Sequence, residues 1–321
     1  MPILSIIIPI YNAAKHIRKG IDCVLKQSIQ DFELILVDDG CTDNSYNICN
    51  EYAKFYKHIK LIRQKNQGVS SARNTGLNHA KGQFILFFDS DDTMHPNMAE
   101  AMIKLIGTHD IAISGVCKVN ENGEILIPIP EEATYQTTHW ETIASMYKDK
   151  YFSYQGYLWN KLYRRDIIEQ YNIRFHEELF YNEDRTFNIE YLLHCKTAIV
   201  TTKPYYYYTI WQGSAMTRPD PQKKWTTFTA FEIQQNVLSN APLTIKQLLA
   251  ADYVNDVLNY AEAYPQYITE CKKIMKNNVQ FLTLKMKMYV WLFIYSPAIH
   301  RKTKAIKYMF YQLKNKNKCP K

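Results

Sequence analysis

The sequence has 321 residues, of which 46% are hydrophobic and 14% aromatic. This composition supplies enough apolar material for a core, so it excludes a chain that is disordered over most of its length. The length predicts about two domains, or one large domain with an elaboration.

The net charge of +8 is distributed unevenly along the chain. Residues 272–321 contain 13 Lys and Arg and no Asp or Glu, which leaves 26 basic and 31 acidic residues in positions 1–271, a net charge of −5. Because the body is acidic and the basic end is also hydrophobic, the charge does not favour a nucleic-acid partner. We therefore expect no nucleic acid among the partners.

The N-terminus and the cysteines bear on the cellular compartment. Residues 3–10 are apolar, but they contain Pro9, are too short to cross a bilayer and lack the flanks of a signal peptide. The seven cysteines are odd in number and form no C-x-x-C, so neither a zinc site nor a disulfide framework is indicated. These features predict a cytoplasmic protein with reduced thiols.

Short apolar runs alternate with helical segments over the first 115 residues. The runs at residues 4–10, 32–37, 59–62, 84–88 and 111–114 predict strands of a mostly parallel α/β sheet, flanked by helices. Further along, Asn122-Gly123 predicts a hairpin turn within 116–130. Residues 139–149 and 184–194 predict helices, 197–202 and 205–211 predict strands, and the pattern from about residue 221 is helical.

Ligands of such sheets bind beyond the carboxyl ends of the strands. Polar residues follow three of the predicted strands, at positions 9–12, 38–40 and 89–92. No G-x-G-x-x-G follows the first strand and the chain has no G-x-x-x-x-G-K-[ST], so a dinucleotide enzyme and a P-loop NTPase are not favoured.

Three carboxylates, Asp89, Asp91 and Asp92, fall within four residues after an apolar strand. Their mutual repulsion at a buried strand end favours a cation, and oxygen ligands suit Mg²⁺ or Mn²⁺ bridged to phosphate. The alternative is helix capping by Asp92 or Thr93 before a helix that starts near Pro96. Capping accounts for one carboxylate, whereas a cation accounts for three.

Four stretches in this order resemble family 2 glycosyltransferases, which have the GT-A fold. They are SIIIPIYN (5–12), LVDDGCTD (36–43), GVSSARNTG (68–76) and DSDD (89–92). Residues 156–218 resemble the acceptor half of that family through WNKLY (159–163) and NED (182–184). Cys41 stands where serine is more usual.

The resemblance implies a domain division. Residues 1–218 would form the GT-A catalytic domain, with a nucleotide-sugar-binding half at 1–115 and an acceptor half at 116–218. Residues 219–321 would form a helical C-terminal region with a basic amphipathic tail.

The resemblance also implies a donor site at the ends of the first two strands. Pro9 and Tyr11 would line the pocket for uracil and ribose, Tyr11 by stacking, with Asn12 beside them. Asp39 would accept a hydrogen bond from uracil N3–H. The open alternatives are an ordinary half-buried Tyr11, and a structural turn at positions 38 and 39, with Asp38 mainly structural.

Four further donor-site residues come from the next two stretches. The resemblance would place Arg73 beside phosphate or uracil oxygens. Asp91 would be the principal metal ligand, and Asp89 would contact ribose or the metal shell. Asp92 would orient the donor sugar or support the site.

The Glu183-Asp184 pair precedes a helical run. By resemblance, Asp184 would be the general base that takes a proton from the acceptor hydroxyl, and Glu183 would support it. The alternative is that both acids are favoured by the dipole of the helix N-terminus.

Trp159 and Lys161 lie between the two acidic clusters in sequence. Trp159 would form a platform for a sugar, and Lys161 would approach the pyrophosphate or support the site. Core packing of Trp159 and a solvated Lys161 are equally open. The tyrosines at 205–208 predict packing in a strand. The loop at 212–218, with Ser214 and Arg218, would close over the donor.

An apolar stretch with lysines lies within residues 279–299, interrupted by Lys285 and Lys287 and ended by Pro297. Its uninterrupted apolar part is shorter than the roughly 20 residues of a transmembrane helix, so an amphipathic helix on an anionic membrane is predicted. A packing helix at an oligomer interface is the alternative.

These patterns and the resemblance lead to one hypothesis. The protein would be a Mn²⁺- or Mg²⁺-dependent inverting glycosyltransferase that moves a hexose or N-acetylhexosamine from a UDP-sugar to a hydroxyl of a growing, lipid-linked glycan. It would work in surface polysaccharide synthesis, peripherally on the inner face of the membrane. The alternatives are a sugar nucleotidyltransferase, whose glycine-rich first loop is absent here, and a non-catalytic UDP-sugar-binding module docked to membranes.

Overall fold

A computed structural model describes residues 1–127, 130–147, 156–210 and 220–296. The chain divides into two compact units, Met1–Val237 and Leu238–Lys321. The first unit therefore extends 19 residues past position 218, the predicted end of the catalytic domain. The division into functional halves stays a prediction.

The strands of the described residues all belong to the first unit. They are β1 (Leu4–Ile10), β2 (Phe32–Asp39), β3 (Ile59–Gln64), β4 (Phe84–Phe87), β5 (Thr93–Met94), β6 (Ile111–Asn120), β7 (Thr134–Thr138), β8 (Lys161–Arg164) and β9 (Thr197–Ile210).

The first unit also holds eight of the α-helices in the described ranges. They are α1 (Ile17–Leu25), α2 (Ser45–Phe55), α3 (Val69–His79), α4 (Met98–Ile106), α5 (His139–Ser145), α6 (Arg165–Gln170), α7 (Glu183–Leu192) and α8 (Pro221–Val237). The second unit is helical as far as it is described, with α9 (Leu243–Ala263), α10 (Ile268–Asn278) and α11 (Leu284–Tyr295).

The nine strands form one sheet in the order β3-β2-β1-β4-β8-β6-β9-β5, with β7 paired to β9. The strands from β3 to β4 are parallel, as the apolar runs predict. β8 runs antiparallel to both β4 and β6, and this joins the parallel part to the second half of the sheet. The predicted α/β class with a helical C-terminal region is confirmed.

Burial explains why the parallel strands read as continuous apolar runs. Leu4, Ile6 and Ile8 of β1 are fully buried, and so is the β2 segment from Leu34 to Val37. Helices cover the sheet through apolar positions at helical spacing, such as Ile17, Ile21 and Val24 of α1, all fully buried. A strand buried on both faces needs apolar side chains at every position, not only at alternate ones.

Residues 197–202 and 205–211 were predicted as two strands, but residues 197–210 form the single strand β9. Pro204 lies opposite Gly115 of β6, where the register between the strands shifts. A Cβ on Gly115 would lie 2.0 Å from the carbonyl oxygen of Thr202, so only glycine allows this approach. The irregularity accommodates the missing N–H of the proline without ending the strand.

Two other local predictions hold in part. The turn at Asn122-Gly123 is present, with Gly123 in the left-handed region at φ 83°. The returning arm, as far as it is described, pairs through a single bridge between Val119 and Ile125 rather than a strand. The helix predicted at 139–149 is α5, which ends at Ser145, and positions 148 and 149 lie outside the described residues.

The second unit is built on α9 and α10. α9 contributes Val254, Val257 and Leu258 to the buried residues, and α10 contributes Cys271 and Met275. α10 packs on α9. None of the helices described is both long enough and apolar enough to cross a membrane.

Candidate active site

The candidate active site lies at the carboxyl ends of β1, β2 and β4. Tyr11 and Asn12 follow β1, Asp38 and Asp39 end β2, and Asp89 follows β4. Because these three strands are parallel neighbours, the sheet brings their polar ends to one edge.

The residues after β1 differ in what their side chains do. Tyr11 is 54% exposed, so its ring is open to a ligand, and Pro9 is half-buried within β1. Asn12 is in the left-handed region at φ 49°, and its Oδ1 accepts a bond from the N–H of Thr42 at 2.8 Å. The Asn12 side-chain oxygen therefore holds the loop after β2 and is engaged within the protein.

Cys41 takes part in the same loop. Its Sγ accepts a bond from the N–H of Asn12 at 3.2 Å and donates to the carbonyl of Ile10 at 3.4 Å. Burial raises the pKa of the Cys41 thiol to about 12, so the thiol stays protonated and unreactive. It performs the hydrogen bonding expected of a serine.

Asp39 is buried and its carboxylate accepts three bonds. The donors are Gln64 Nε2, the N–H of Gln67 and the N–H of Gly68, each at 2.9 Å. These contacts fix the turn that begins α3. A carboxylate has capacity for a fourth bond, so the contact between Asp39 and uracil stays a prediction.

Asp38 has the structural role that the sequence favoured. Its Oδ1 accepts a bond from the N–H of Cys41 at 3.0 Å, and its Oδ2 pairs with Arg63 Nε at 2.9 Å. The side chain is fully buried.

Asp92 faces the sheet, which fits the predicted support of the site better than the predicted orientation of the donor sugar. Its Oδ2 accepts a bond from the Tyr206 hydroxyl at 2.7 Å, and its Oδ1 accepts from the N–H of Thr209 at 2.8 Å. Burial and the nearby acids raise the pKa of Asp92 well above its usual value. Asp92 does not cap α4 either, since that helix begins at Met98 with Asn97 before it.

The centre of the site is the buried guanidinium of Arg73 on α3, which is 4% exposed. Its Nη1 lies 2.7 Å from Asp184 Oδ1 and 3.1 Å from Glu183 Oε1. Its Nη2 lies 3.4 Å from Asp89 Oδ1. The sequence suggested phosphate or uracil oxygens as partners of Arg73. In the structure it joins Asp89, which follows β4, to the acid pair that starts α7.

Electrostatics in this centre follow from burial and opposed charges. Burial alone would lower the pKa of Arg73, but the charges of Asp184, Asp89 and Glu183 raise it above its ordinary value. Burial raises the pKa of Asp89 to about 6, although Arg73 opposes the shift. Burial and the Glu183 carboxylate raise the pKa of Asp184, again against the effect of Arg73. Arg73 therefore stabilises a cluster of acids that would otherwise favour protonation.

The oxygens available for a metal come from Asp89 and Asp91. Across the described ranges, no three His, Cys, Asp or Glu side chains group as a metal site. Mg²⁺ commonly takes only one or two carboxylates and completes its shell with substrate phosphates and water. The charge of Asp91 contributes to the raised pKa of Asp89, and a cation would relieve this repulsion. The two carboxylates thus fit a hard divalent cation whose remaining ligands would be phosphate oxygens and water.

Lys161 is completely buried on β8, so the solvated alternative is wrong. Its ammonium donates to Asn160 Oδ1 at 2.9 Å and to the carbonyl of Tyr157. Burial lowers the pKa of Lys161 to about 7, and the charge of Asp184 opposes the shift. The contacts describe a support for the backbone at Tyr157 rather than a side chain that reaches a pyrophosphate.

Trp159 is also buried, at 2% exposure, and packing describes it better than a sugar platform. Its ring stacks on Tyr157 with centroids 4.7 Å apart and on Tyr206 at 4.3 Å. Tyr208 lies in nearly the same orientation at 5.8 Å. The half-buried members of this stack are Tyr157 and Tyr208.

Two supporting residues were missed from the sequence, Tyr206 and Asn188. Asn188 Nδ2 donates to the carbonyls of Asp184 at 2.9 Å and Gly156 at 2.8 Å, and the Tyr163 hydroxyl donates to its Oδ1 at 2.7 Å. Its position four residues after Asp184 on a helix was the available signal. For Tyr206, strand alternation would have separated 206 and 208 from 205 and 207.

The model for glycosyl transferase family 2 matches residues 5–171, which is more than half of the chain. The chain belongs to glycosyltransferase family 2. The matched region contains β1 to β4, Arg73 and the acids after β4, while Glu183 and Asp184 lie beyond it.

Three curated relatives of this family 2 glycosyltransferase come from Bacillus subtilis. The glycosyltransferase EpsH is 33% identical over 68% of this chain and 63% of its own length. The uncharacterized glycosyltransferase EpsJ is 36% identical over 59% of this chain and 56% of its own length. The minor teichoic acid biosynthesis protein GgaA is 31% identical over 74% of this chain and 54% of its own length. The chain thus spans less than two thirds of each relative.

Solved structures of S. aureus TarS have a similar fold. The TarS 1–349 complex with UDP-GlcNAc matches with a TM-score of 0.69 and 23% identity, over 90% of this chain and 86% of that one. The complex with UDP matches with a TM-score of 0.68 and 22% identity, over the same shares. This likeness confirms the predicted GT-A fold of the family 2 chain.

We expect Arg73→Met to lower the free energy of unfolding by about 3–5 kcal/mol, because it removes a buried cation from three partly buried acids. The loss should be smaller at pH 5 than at pH 8. The pKa values of Asp89 and Asp184 are raised in the folded state, so these acids are more protonated at pH 5, and a neutral acid does not need the Arg73 cation. Urea unfolding at both pH values measures the change.

Arg18→Met is the matched control for Arg73→Met. Arg18 pairs with Glu51 at 3.1 Å, but both side chains are more than half exposed, so Arg18→Met should leave the free energy of unfolding nearly unchanged. Equal losses for the two variants, or a loss for Arg73→Met that does not change with pH, would contradict the central role of Arg73.

Proposed function

We propose that this chain transfers a hexose or an N-acetylhexosamine from a UDP-sugar to a hydroxyl of a growing, lipid-linked glycan, with inversion at the anomeric carbon. The observation that carries the proposal is the Arg73 centre. There one guanidinium contacts Asp89, at the edge of the sheet where the donor would bind, and the acid pair of α7. Transfer needs a donor group and a base within reach of the same reacting atoms.

The names of similar proteins support the type of substrate. GgaA is named for the biosynthesis of minor teichoic acid, and TarS was solved with UDP and with UDP-GlcNAc. These names refer to the synthesis of a teichoic acid and to complexes with UDP and UDP-GlcNAc. We propose a UDP-sugar as the donor here, and a role in surface polysaccharide biosynthesis.

The donor nucleotide would bind at the ends of β1 and β2. The exposed ring of Tyr11 offers a face for stacking on uracil, with Pro9 and Asn12 beside it. Asp39 has capacity for one more hydrogen bond, which suits uracil N3–H. Arg73 would act on the donor through Asp89 rather than by direct contact.

In the transfer step, Asp184 would take the proton of the acceptor hydroxyl. The hydroxyl oxygen forms the new bond to the anomeric carbon from the face opposite the diphosphate, and the bond to the diphosphate breaks, so that UDP leaves with its electron pair. Burial suits Asp184 to this role, since a pKa raised toward the working pH makes a carboxylate a stronger base. Glu183 and Asn188 would hold its position.

Asp91 and Asp89 would hold a Mn²⁺ or Mg²⁺ ion together with diphosphate oxygens of the donor. When bound, the ion would neutralise the negative charge that develops on UDP. Arg73 would keep Asp89 ionised and oriented for this purpose.

Transfer to a lipid-linked acceptor would take place at a membrane surface. We propose that the protein is peripheral on the inner face of the cell membrane and docks through its basic C-terminal region. A homo-oligomer is compatible with this arrangement.

A panel of UDP-sugars with Mn²⁺ or Mg²⁺ identifies the donor through UDP release. With that donor and an acceptor glycan, Asp184→Asn should lower the transfer rate by about 10²–10⁴-fold, because the amide cannot accept the proton. UDP binding, measured by calorimetry, should remain.

Asp166→Asn is the control for Asp184→Asn, because Asp166 also lies in the first turn of a helix but is exposed. It should leave the rate unchanged. Full activity in Asp184→Asn would overturn the base assignment. Formation of UDP-sugar from a sugar 1-phosphate would favour a nucleotidyltransferase, and UDP binding without release from any donor would favour a binding module.

The transfer rate should rise with pH through the raised pKa of Asp184, because only the ionised carboxylate accepts a proton. We therefore expect the acid side of the pH profile to lie well above the usual Asp pKa of about 4. Initial rates from pH 5 to pH 9 with saturating donor measure this. UDP affinity at each pH is the control, and a rate that is constant across the range would contradict the role of Asp184.

Asp91→Asn should weaken Mn²⁺-dependent binding of UDP by at least about tenfold, because it removes one of the two carboxylate ligands. Calorimetry with UDP, in Mn²⁺ and in EDTA, separates the metal-dependent part of the affinity. Ser90→Ala, at the neighbouring position, should bind like the parent. If Asp91→Asn retains the full difference between Mn²⁺ and EDTA, Asp91 is not a metal ligand.

A further inference from the structure

The last helix described, α11, carries an exposed apolar stripe. Leu284, Met288, Trp291 and Tyr295 are exposed by 85%, 62%, 54% and 59%. Their spacing of four, three and four residues places them within an arc of about 60° at 100° per residue. The four side chains therefore form one continuous line along the helix, which we call the α11 stripe.

The opposite side of α11 is already used for packing. Val290, Phe293 and Ile294 are buried, with at most 9% exposure. An amphipathic helix that packs through one face normally has a polar outer face. The α11 stripe is apolar where solvent is expected, so packing of the described chain does not account for it.

Positive charge surrounds the stripe. At 100° per residue, Lys285 and Lys287 project on its two sides. On the preceding helix α10, Lys273 and Lys276 are exposed, and the Lys276 ammonium lies 5.5 Å from the ring centre of Tyr295. The sequence after Glu270 contains no acidic residue.

We propose that the α11 stripe docks on the surface of an anionic bilayer, with the helix axis in the membrane plane. Leu284, Met288 and the rings of Trp291 and Tyr295 would enter the headgroup region, where Trp and Tyr are favoured. Lys285 and Lys287 would meet lipid phosphates on either side. This inference rests on the membrane location in the proposed function and specifies the surface that makes the contact. It does not depend on the transfer chemistry.

A second copy of the chain fits the stripe less well than a bilayer. A helix of 12 residues is about 18 Å long, so the stripe offers much less than the roughly 800 Å² per partner of a stable dimer. A two-fold interface would also bring the lysines of both copies into one contact, because both partners present the same surface. An anionic surface complements them instead.

Vesicle co-sedimentation of the full-length protein tests the proposal, with phosphatidylglycerol–phosphatidylcholine vesicles against vesicles of phosphatidylcholine alone. Leu284→Ser/Trp291→Ser should weaken binding to the anionic vesicles by at least about tenfold. Lys285→Gln/Lys287→Gln should weaken it by roughly fivefold for each lysine at low salt, and less at high salt. Residues 297–321 are present in every variant, so they cannot cause the differences.

Two controls match these variants. Leu243→Ser removes an equally exposed apolar side chain (61%) from the start of α9, outside the stripe. Lys54→Gln/Lys57→Gln removes two exposed lysines from the first unit. Both should bind vesicles like the parent, and far-UV circular dichroism should show that all the variants fold.

Vesicle binding unchanged in the stripe variant overturns the proposal. A stripe variant that keeps vesicle binding but changes oligomeric state, measured by light scattering, identifies a second copy as the occupant and also overturns it. UDP release with a water-soluble acceptor tests the transfer proposal separately from membrane docking, and the stripe variants should release UDP as fast as the parent protein. If the parent protein releases no UDP in this assay, the transfer proposal fails and the docking proposal is unaffected.

Discussion

The site depends on one buried cation. Arg73 lies between Asp89, Glu183 and Asp184, and each of these acids would be costly to keep ionised in a largely buried position without it. The acids come from chain segments that are 16, 110 and 111 residues away from Arg73. Formation of this centre therefore requires α3, the end of β4 and the start of α7 to be in place together, which ties the geometry of the site to the complete fold.

A second layer of hydrogen bonds divides the acids after β4 by role. Asp92 is bound to Tyr206 and Thr209 of β9, so its carboxylate anchors the loop to the sheet. Asp89 pairs with Arg73, and the charge of Asp91 acts on Asp89; we propose these two acids as the metal ligands. Three neighbouring carboxylates thus face different surroundings, and a short sequence motif need not have one function.

Local patterns predicted most of the fold, because a strand that is buried on both faces has apolar residues at consecutive positions. The apolar runs located β1 to β4, and polar strand ends located the edge of the site. Long-range pairing was not accessible in the same way: nothing near Arg73 in sequence indicates Glu183. The burial of Lys161 was hidden for the same reason, since it depends on β8 lying between β4 and β6. The break predicted between residues 202 and 205 does not occur, because Pro204 lies opposite Gly115, 89 residues earlier in the chain, where the register between β6 and β9 shifts.

The uneven charge of residues 1–271 and of the residues after 271 has a physical consequence for the proposed function. The proposed metal site needs carboxylates that remain free to bind a cation, whereas the proposed contact with an anionic membrane needs exposed lysines. Charges on one surface interact over about a Debye length, roughly 8–10 Å at physiological salt. Lysines placed among the acids of the first unit would pair with them and lower their affinity for a metal. The excess of lysines is confined to residues after 271, while residues 1–271 carry a net charge of −5, so one chain would be able to meet both proposed requirements.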